Sequence, residues 1–291
     1  MEKTVDTIPS IAQNPLSKYF RQPAIYMKLP SNGQFWTEGA IDLPVTGEIP
    51  IYPMTARDEV TLRTPDALLN GTSMVEIIQS CCPSIKNAWI MPSIDVDAVL
   101  IGIRIASYGH EMDIDSKCPH CDEENNHCID LRVILSNLKC PDFDTKIEVS
   151  NLKIKLKPQA FFNINKTNSV AFEEQRLLEA VNKTDLTTEV RTKQINESMK
   201  KLLEISINTV CESTESIEID DGTVVDSPAY IKDFFNNADG VIIRSIQKQL
   251  GVINVAASIK DQLVTCSNLS CAKEFTVPLE FDYANFFAQG S

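Results

Sequence analysis

Apolar residues fall into two periods along this chain, and the switch between them marks its elements. Over residues 145–158, Ile147 and Val149 and then Leu152, Ile154 and Leu156 alternate with polar positions, which predicts two short strands. Residues 169–182 and 188–211 carry apolar side chains at helical spacing among mixed charges and predict two helices. Arg57–Arg63 reads as a short helix; Thr64-Pro65 opens a second, with Thr64 as cap and Gly71 as stop. Thr72 or Ser73 caps a third over Met74–Cys82, which Pro83 ends. Ser93 to Ala106 is apolar nearly throughout. Its Val99, Ile101, Ile103 and Ile105 favour a strand locally. The Ser93 cap, the first-turn acids Asp95 and Asp97 and the closing Gly109 predict a buried helix instead. Ile217–Ile219 and Val224–Val225 flank Asp221-Gly222 as a small hairpin around a two-residue turn. Ser227-Pro228 starts a helix to Asn237, and Asp239-Gly240 another to about Leu250.

Alternation returns at the cysteines. The chain has nine: Cys81, Cys82, Cys118, Cys121, Cys128, Cys140, Cys211, Cys266 and Cys271. An odd number with no secretory leader at the start disfavours a disulfide framework and puts metal binding first. Two groups have ligand-like spacing, Cys118-Pro-His-Cys121 and Cys266-Ser-Asn-Leu-Ser-Cys271. Glu111–Asp115 and His127–Arg132 flank the first as strands, and Leu263–Thr265 and Phe275–Phe281 flank the second. Two strand-turn-strand units meeting at one Zn²⁺ make a zinc ribbon split across the sequence, with Cys118, Cys121, Cys266 and Cys271 as its ligands. His120, His127 or Cys128 are possible substitute ligands. Four thiolates leave no open position for catalysis, so the expected zinc, one per chain, is structural. Cys81 and Cys82 lie in apolar surroundings and read as core.

Length then sets the organisation. In 291 residues, a ribbon whose halves lie so far apart requires an insertion between them. Residues 1–56 form an extended arm rich in proline and aromatics; residues 57–139 plus 259–291 form the core with the split ribbon; residues 140–258 form a mostly helical inserted subdomain. The fold class is α+β. The arm's Tyr19, Phe20, Arg21, Phe35 and Trp36 are candidate contacts, either with the chain's own core or with a partner.

Charge removes several functions. Acids outnumber Lys and Arg by 40 to 27, a net charge of −13, which argues against a nucleic-acid partner, since phosphate binding draws on clustered bases. The acids concentrate in residues 111–150 and 212–239 as solvated surface or as a contact face for a basic neighbour. No stretch is apolar enough for a membrane span. Phosphate-loop, dinucleotide, nucleophile-elbow and zinc-protease signatures are all absent from the sequence, and three histidines leave little acid-base chemistry. Neither an enzyme nor a small-molecule substrate is expected.

Asn14-Pro-Leu-Ser-Lys-Tyr-Phe-Arg-Gln-Pro23 followed by Leu29-Pro-Ser-Asn-Gly33 resembles the opening of baseplate hub proteins from T-even-type contractile-tail bacteriophages. Pro53-Met-Thr-Ala-Arg-Asp-Glu59, Thr64–Gly71, Pro92–Asp97, Arg104–Gly109 and the Cys118–Cys121 turn extend the resemblance. The Cys266/Cys271 pair and Phe281–Phe287 are similar to the family's closing ribbon. The resemblance implies a virion structural protein of the tail baseplate. It would be made in the host cytoplasm and would link or help assemble the central hub beside hub, wedge or tube-end proteins. A non-virion assembly factor of the same lineage is the first alternative, and a zinc-ribbon nucleic-acid-binding protein the second.

Overall fold

The computed structural model describes residues 14–63, 71–183, 188–279 and 286–287. It is a mixed α+β chain. The helix expected to open at Thr64 lies, over residues 64–70, outside the described residues.

The long apolar run forms α3 (Ser93–Tyr108). It is helical despite its β-branched residues because it is buried on nearly every side, where packing overrides local preference; Val99, Ile101 and Ile103 are fully buried. Around it lie α1 (Ala56–Leu62), α2 (Thr72–Cys81) and an antiparallel pair of strands, β1 (Ile25–Lys28) and β2 (Glu48–Ile51). A Cβ on Gly102 would come within 2.7 Å of Met27 Sδ, so a larger residue there would force the Met27 side chain of β1 to shift. The C-terminal Phe286 also reaches this core, and the guanidinium of Arg104 lies between the rings of Tyr108 and Phe286.

Two buried carboxylates fix the N-terminal segment. Asp58 completes a capping box with Thr55 at the start of α1. It also accepts from Ser80 Oγ at 3.1 Å and from Arg21 Nη1 at 3.3 Å. Asp95 is fully buried and accepts from Ser31 N at 2.8 Å, Ser31 Oγ at 2.6 Å and Trp36 Nε1 at 2.8 Å. Asp95 is therefore a clamp on the 31–36 loop as well as a first-turn acid.

Strands β3 (Glu111–Lys117) and β4 (Glu124–Asp130) form a hairpin, followed by α4 (Leu131–Asn137). The leaving strand stops at Asp130, whose side chain caps α4, two residues short of the expected Arg132. Next come β5 (Ile147–Val149), β6 (Leu152–Leu156), α5 (Phe161–Lys183), α6 (Thr188–Glu212), β7 (Thr214–Glu218), β8 (Val224–Val225), α7 (Pro228–Asn237) and α8 (Gly240–Ala257). The strands β5 to β8 make an antiparallel four-stranded sheet in sequence order. A second apolar cluster forms here from Phe143, Ile154, Leu156, Val210, Ile217 and Phe235, with Ile242 and Ile246 from α8. Phe35 and Ile94 pack against it, so the two clusters meet at the 31–36 loop and the start of α3. The chain closes with the hairpin β9 (Gln262–Thr265) and β10 (Glu274–Val277). No helix among the described residues is long and apolar enough to cross a membrane.

Several boundaries differ from the sequence pattern, each for a local reason. Gly71, with φ of 75°, occupies the cap position of α2, and Ser73 Oγ donates to Thr61 O instead of capping. Pro92 precedes α3, making Ser93 its first helical residue. The β7–β8 loop is five residues long, since Glu218 pairs with Val224. Helix α8 runs through Gly251 to Ala257, carried by the buried Ile253.

Replacing Asp95 by Ala would leave three donors without their acceptor. Urea unfolding is expected to show a loss of roughly 3 kcal/mol; a loss below about 1 kcal/mol would mean the clamp is dispensable.

Candidate metal centre

Both cysteine turns close in the same way. In the first, Cys118 N donates to Glu123 O at 2.9 Å, and Asp122, just after the second cysteine, has φ of 60°. In the second, Cys266 N donates to Lys273 O at 3.0 Å, and Ala272, again just after the second cysteine, has φ of 45°. Left-handed backbone is uncommon outside glycine, so its recurrence at matching positions marks a shared turn. The second turn is two residues longer. Asn268 takes up the excess, its side chain accepting from Ser270 N and its carbonyl from the amides of Cys271 and Ala272.

The two turns face each other. Sγ atoms of Cys118, Cys121, Cys266 and Cys271 all lie within 4.8 Å of one another, and those of Cys121 and Cys266 are 3.6 Å apart. A tetrahedral ion with Zn–S bonds of about 2.3 Å places its sulfurs roughly 3.8 Å apart. The donors therefore fit such an ion, and none of the four is in a disulfide. Cys118 and Cys266 are buried, Cys271 is half-buried and Cys121 is exposed, so the cluster opens to solvent on one side. His120, His127 and Cys128 are not members of the group. His127 instead sets its ring edge-on to Phe275 across the two hairpins, centroids 6.0 Å apart.

Electrostatics separates the thiols. Burial alone would push Cys118 up, but N–H groups of His120 and Cys121 and the thiols of Cys121 and Cys266 hold it down to about 7. At Cys121 the Glu123 amide acts to lower the value, but burial and the neighbouring sulfurs prevail and push it up to about 12. Cys118 thus gives up its proton readily while Cys121 holds on to its own, and a bound cation would draw off the proton that Cys121 keeps.

Asn125 was not conspicuous within the polar run Glu123-Glu-Asn-Asn126. It is buried, its Oδ1 accepts from Ser267 N at 2.6 Å, and its Nδ2 donates to Glu123 O at 2.8 Å. One side chain thus ties the second cysteine turn to the first. Only its burial distinguishes it from Asn126, whose Nδ2 donates to Asp115 on the exposed face.

The five candidate arm contacts divide. Tyr19 and Phe20 are exposed, at 73% and 49%. Arg21 points inward, donating from Nη1 to Pro53 O at 2.7 Å and from Nη2 to Ser80 O at 2.7 Å. Trp36 is held by Asp95, and Phe35 packs edge-on against Phe143 at 5.2 Å.

These features define a scaffold, an α+β chain in which two hairpins far apart in sequence meet at four thiols able to hold a tetrahedral ion. A family model described as T4 bacteriophage base plate protein matches residues 22–288, and the chain belongs to that family. No curated protein and no solved structure matches it.

Because Asn125 orients one turn against the other, Asn125→Ala is expected to weaken Co²⁺ binding by roughly 10- to 100-fold. Thiolate-to-cobalt absorption during titration measures this, and unchanged affinity would remove the positioning role.

Proposed function

We propose that the chain is a non-enzymatic structural component of a contractile-tail baseplate that links or helps assemble the central hub, with hub, wedge or tube-end proteins as neighbours. The observation that carries this is the family match, which runs almost the whole length of the chain and includes both cysteine turns. In this reading the four cysteines hold one structural Zn²⁺. An all-sulfur tetrahedral set favours zinc among the available divalent ions and leaves no open coordination position. The metal closes a split ribbon, residues 57–139 plus 259–291 form the body around it, and residues 140–258 are a module inserted into that body. The protein is made in the host cytoplasm and ends in the virion tail.

Tyr19 and Phe20 are the arm residues that face outward and are proposed to meet a neighbour. Arg21, Phe35 and Trp36 serve by anchoring the arm rather than by touching a partner. Nucleic acid is disfavoured at the ribbon, where exposed Glu111, Asp113, Asp115, Glu123 and Glu124 would repel phosphate.

Mass spectrometry of purified particles tests the virion role. Recovery of the chain in stoichiometric amount is expected, while its presence in infected cells but not in particles would favour the assembly-factor alternative. Protein purified without added metal should carry about one zinc per chain, and a chelator should lower its thermal stability; metal-free protein of equal stability would exclude the staple. Tyr19→Ala with Phe20→Ala should leave the fold unchanged by circular dichroism yet block incorporation into tails. Normal incorporation would assign the contact elsewhere.

A further inference from the structure

β1 has a partner on one side only. Among the described residues β2 is the sole strand beside it. Pro50, opposite Tyr26, has no N–H, so the ladder bonds run through Ile25 and Met27, whose partners are Ile51 and Ile49. The backbone N–H and C=O of Tyr26 and Lys28 therefore point away from β2, and neither residue makes a backbone bond outside the ladder. A free strand edge is a template for another strand.

A groove of about 570 Å³ runs along this edge, with Tyr26 and Lys28 on one wall and Arg132, Leu135, Ser136 and Lys139 on the other. Its charged lining residues are Lys28, Arg132 and Lys139, all basic, in a chain of net charge −13. Arg132 is already paired with Asp130 at 2.6 Å, whereas Lys28 and Lys139 are exposed. Leu135 and Leu138 are half-buried and give the groove an apolar side. Backbone groups aligned for a strand, apolar side chains beneath and bases on both walls match one kind of occupant.

We infer that this groove takes an extended acidic segment, which adds to the free edge of β1 as a further antiparallel or parallel strand. Main-chain bonds to Tyr26 and Lys28 supply affinity, and the two lysines select carboxylates at alternate positions of the incoming strand. Strand addition stands on the edge and its charge alone; that the segment comes from another tail protein rests on the baseplate reading.

The test uses the purified full chain and acetylated peptides of about eight residues, alternating Glu with Val or Lys with Val. Fluorescence anisotropy at low salt should show the Glu peptide binding about ten-fold tighter or more. Lys28→Glu with Lys139→Glu, both at exposed positions, should reverse that preference. Hydrogen exchange should slow at the Tyr26 and Lys28 amides when the Glu peptide binds. Equal binding of the two peptides, no binding, or protection confined to other segments would overturn the inference. So would concentration-dependent self-association abolished by the double variant, since it would identify the occupant as a second copy of this chain. These outcomes do not depend on whether the chain is found in particles, so failure of the groove and failure of the baseplate role are separately visible.

Discussion

Four sulfurs gathered within 4.8 Å set the terms for the rest of the chain. Each hairpin brings only two, and neither pair has a use for the other unless the intervening chain returns to the point from which it left. That return is enforced twice more, by the Asn125 bond to Ser267 and by the His127–Phe275 ring contact. Closure in these terms is cheap where the turns are preformed. The left-handed Asp122 and Ala272, and the amides aimed at Cys118, already hold each half in shape. A cation arriving there orders little new backbone, so more of its binding free energy can appear as stability.

Buried carboxylates do for the N-terminal segment what the thiols do for the C-terminal one. This segment has seven prolines before residue 54, spaced so that they interrupt any long helix. It is held instead by side chains from the helices. Asp95 takes three donors from the 31–36 loop, and Asp58 gathers Thr55, Ser80 and Arg21 around one oxygen. Burial raises the Asp95 pKa, against which its bonds from Ser31 and Trp36 act. A carboxylate in that position is costly to leave unpaired, so it fixes one arrangement of the loop rather than merely favouring it.

The sequence was most legible where the signal was local and periodic. The cysteine spacings with their flanking alternation led to the four-thiol cluster, and the pattern over residues 145–158 led to β5 and β6. Chain termini of helices were less legible because several residues offered the same capping chemistry; Gly71 and Pro92 took positions that Thr72, Ser73 and Ser93 were equally equipped to fill. Asp95 was legible as a first-turn acid but not as a clamp, and Asn125 was not legible as a tie, for one reason: a polar residue in a polar or helix-starting run carries no mark of burial. Their partners lie 64 and 142 residues away, and only tertiary structure brings them together. The β5–β8 sheet was obscured in a similar way, since its third strand follows two long helices that dominate the pattern.

What faces outward follows from what is consumed inside. Arg21 spends its guanidinium on Pro53, Ser80 and Asp58, and in doing so holds the neighbouring Tyr19 and Phe20 on the surface. Two exposed aromatics beside a fixed residue lose less freedom on contact than they would on a loose chain, and such residues concentrate binding energy. The β1 edge is presented in the same manner, since Met27 and Leu29 are buried on one side of the strand while Tyr26 and Lys28 stand free on the other. Both surfaces belong to one short stretch, and both owe their rigidity to anchors in α1, α2 and α3. Loosening an anchor would therefore weaken any contact that these residues make with a partner, because ordering the segment would then count against binding rather than against folding.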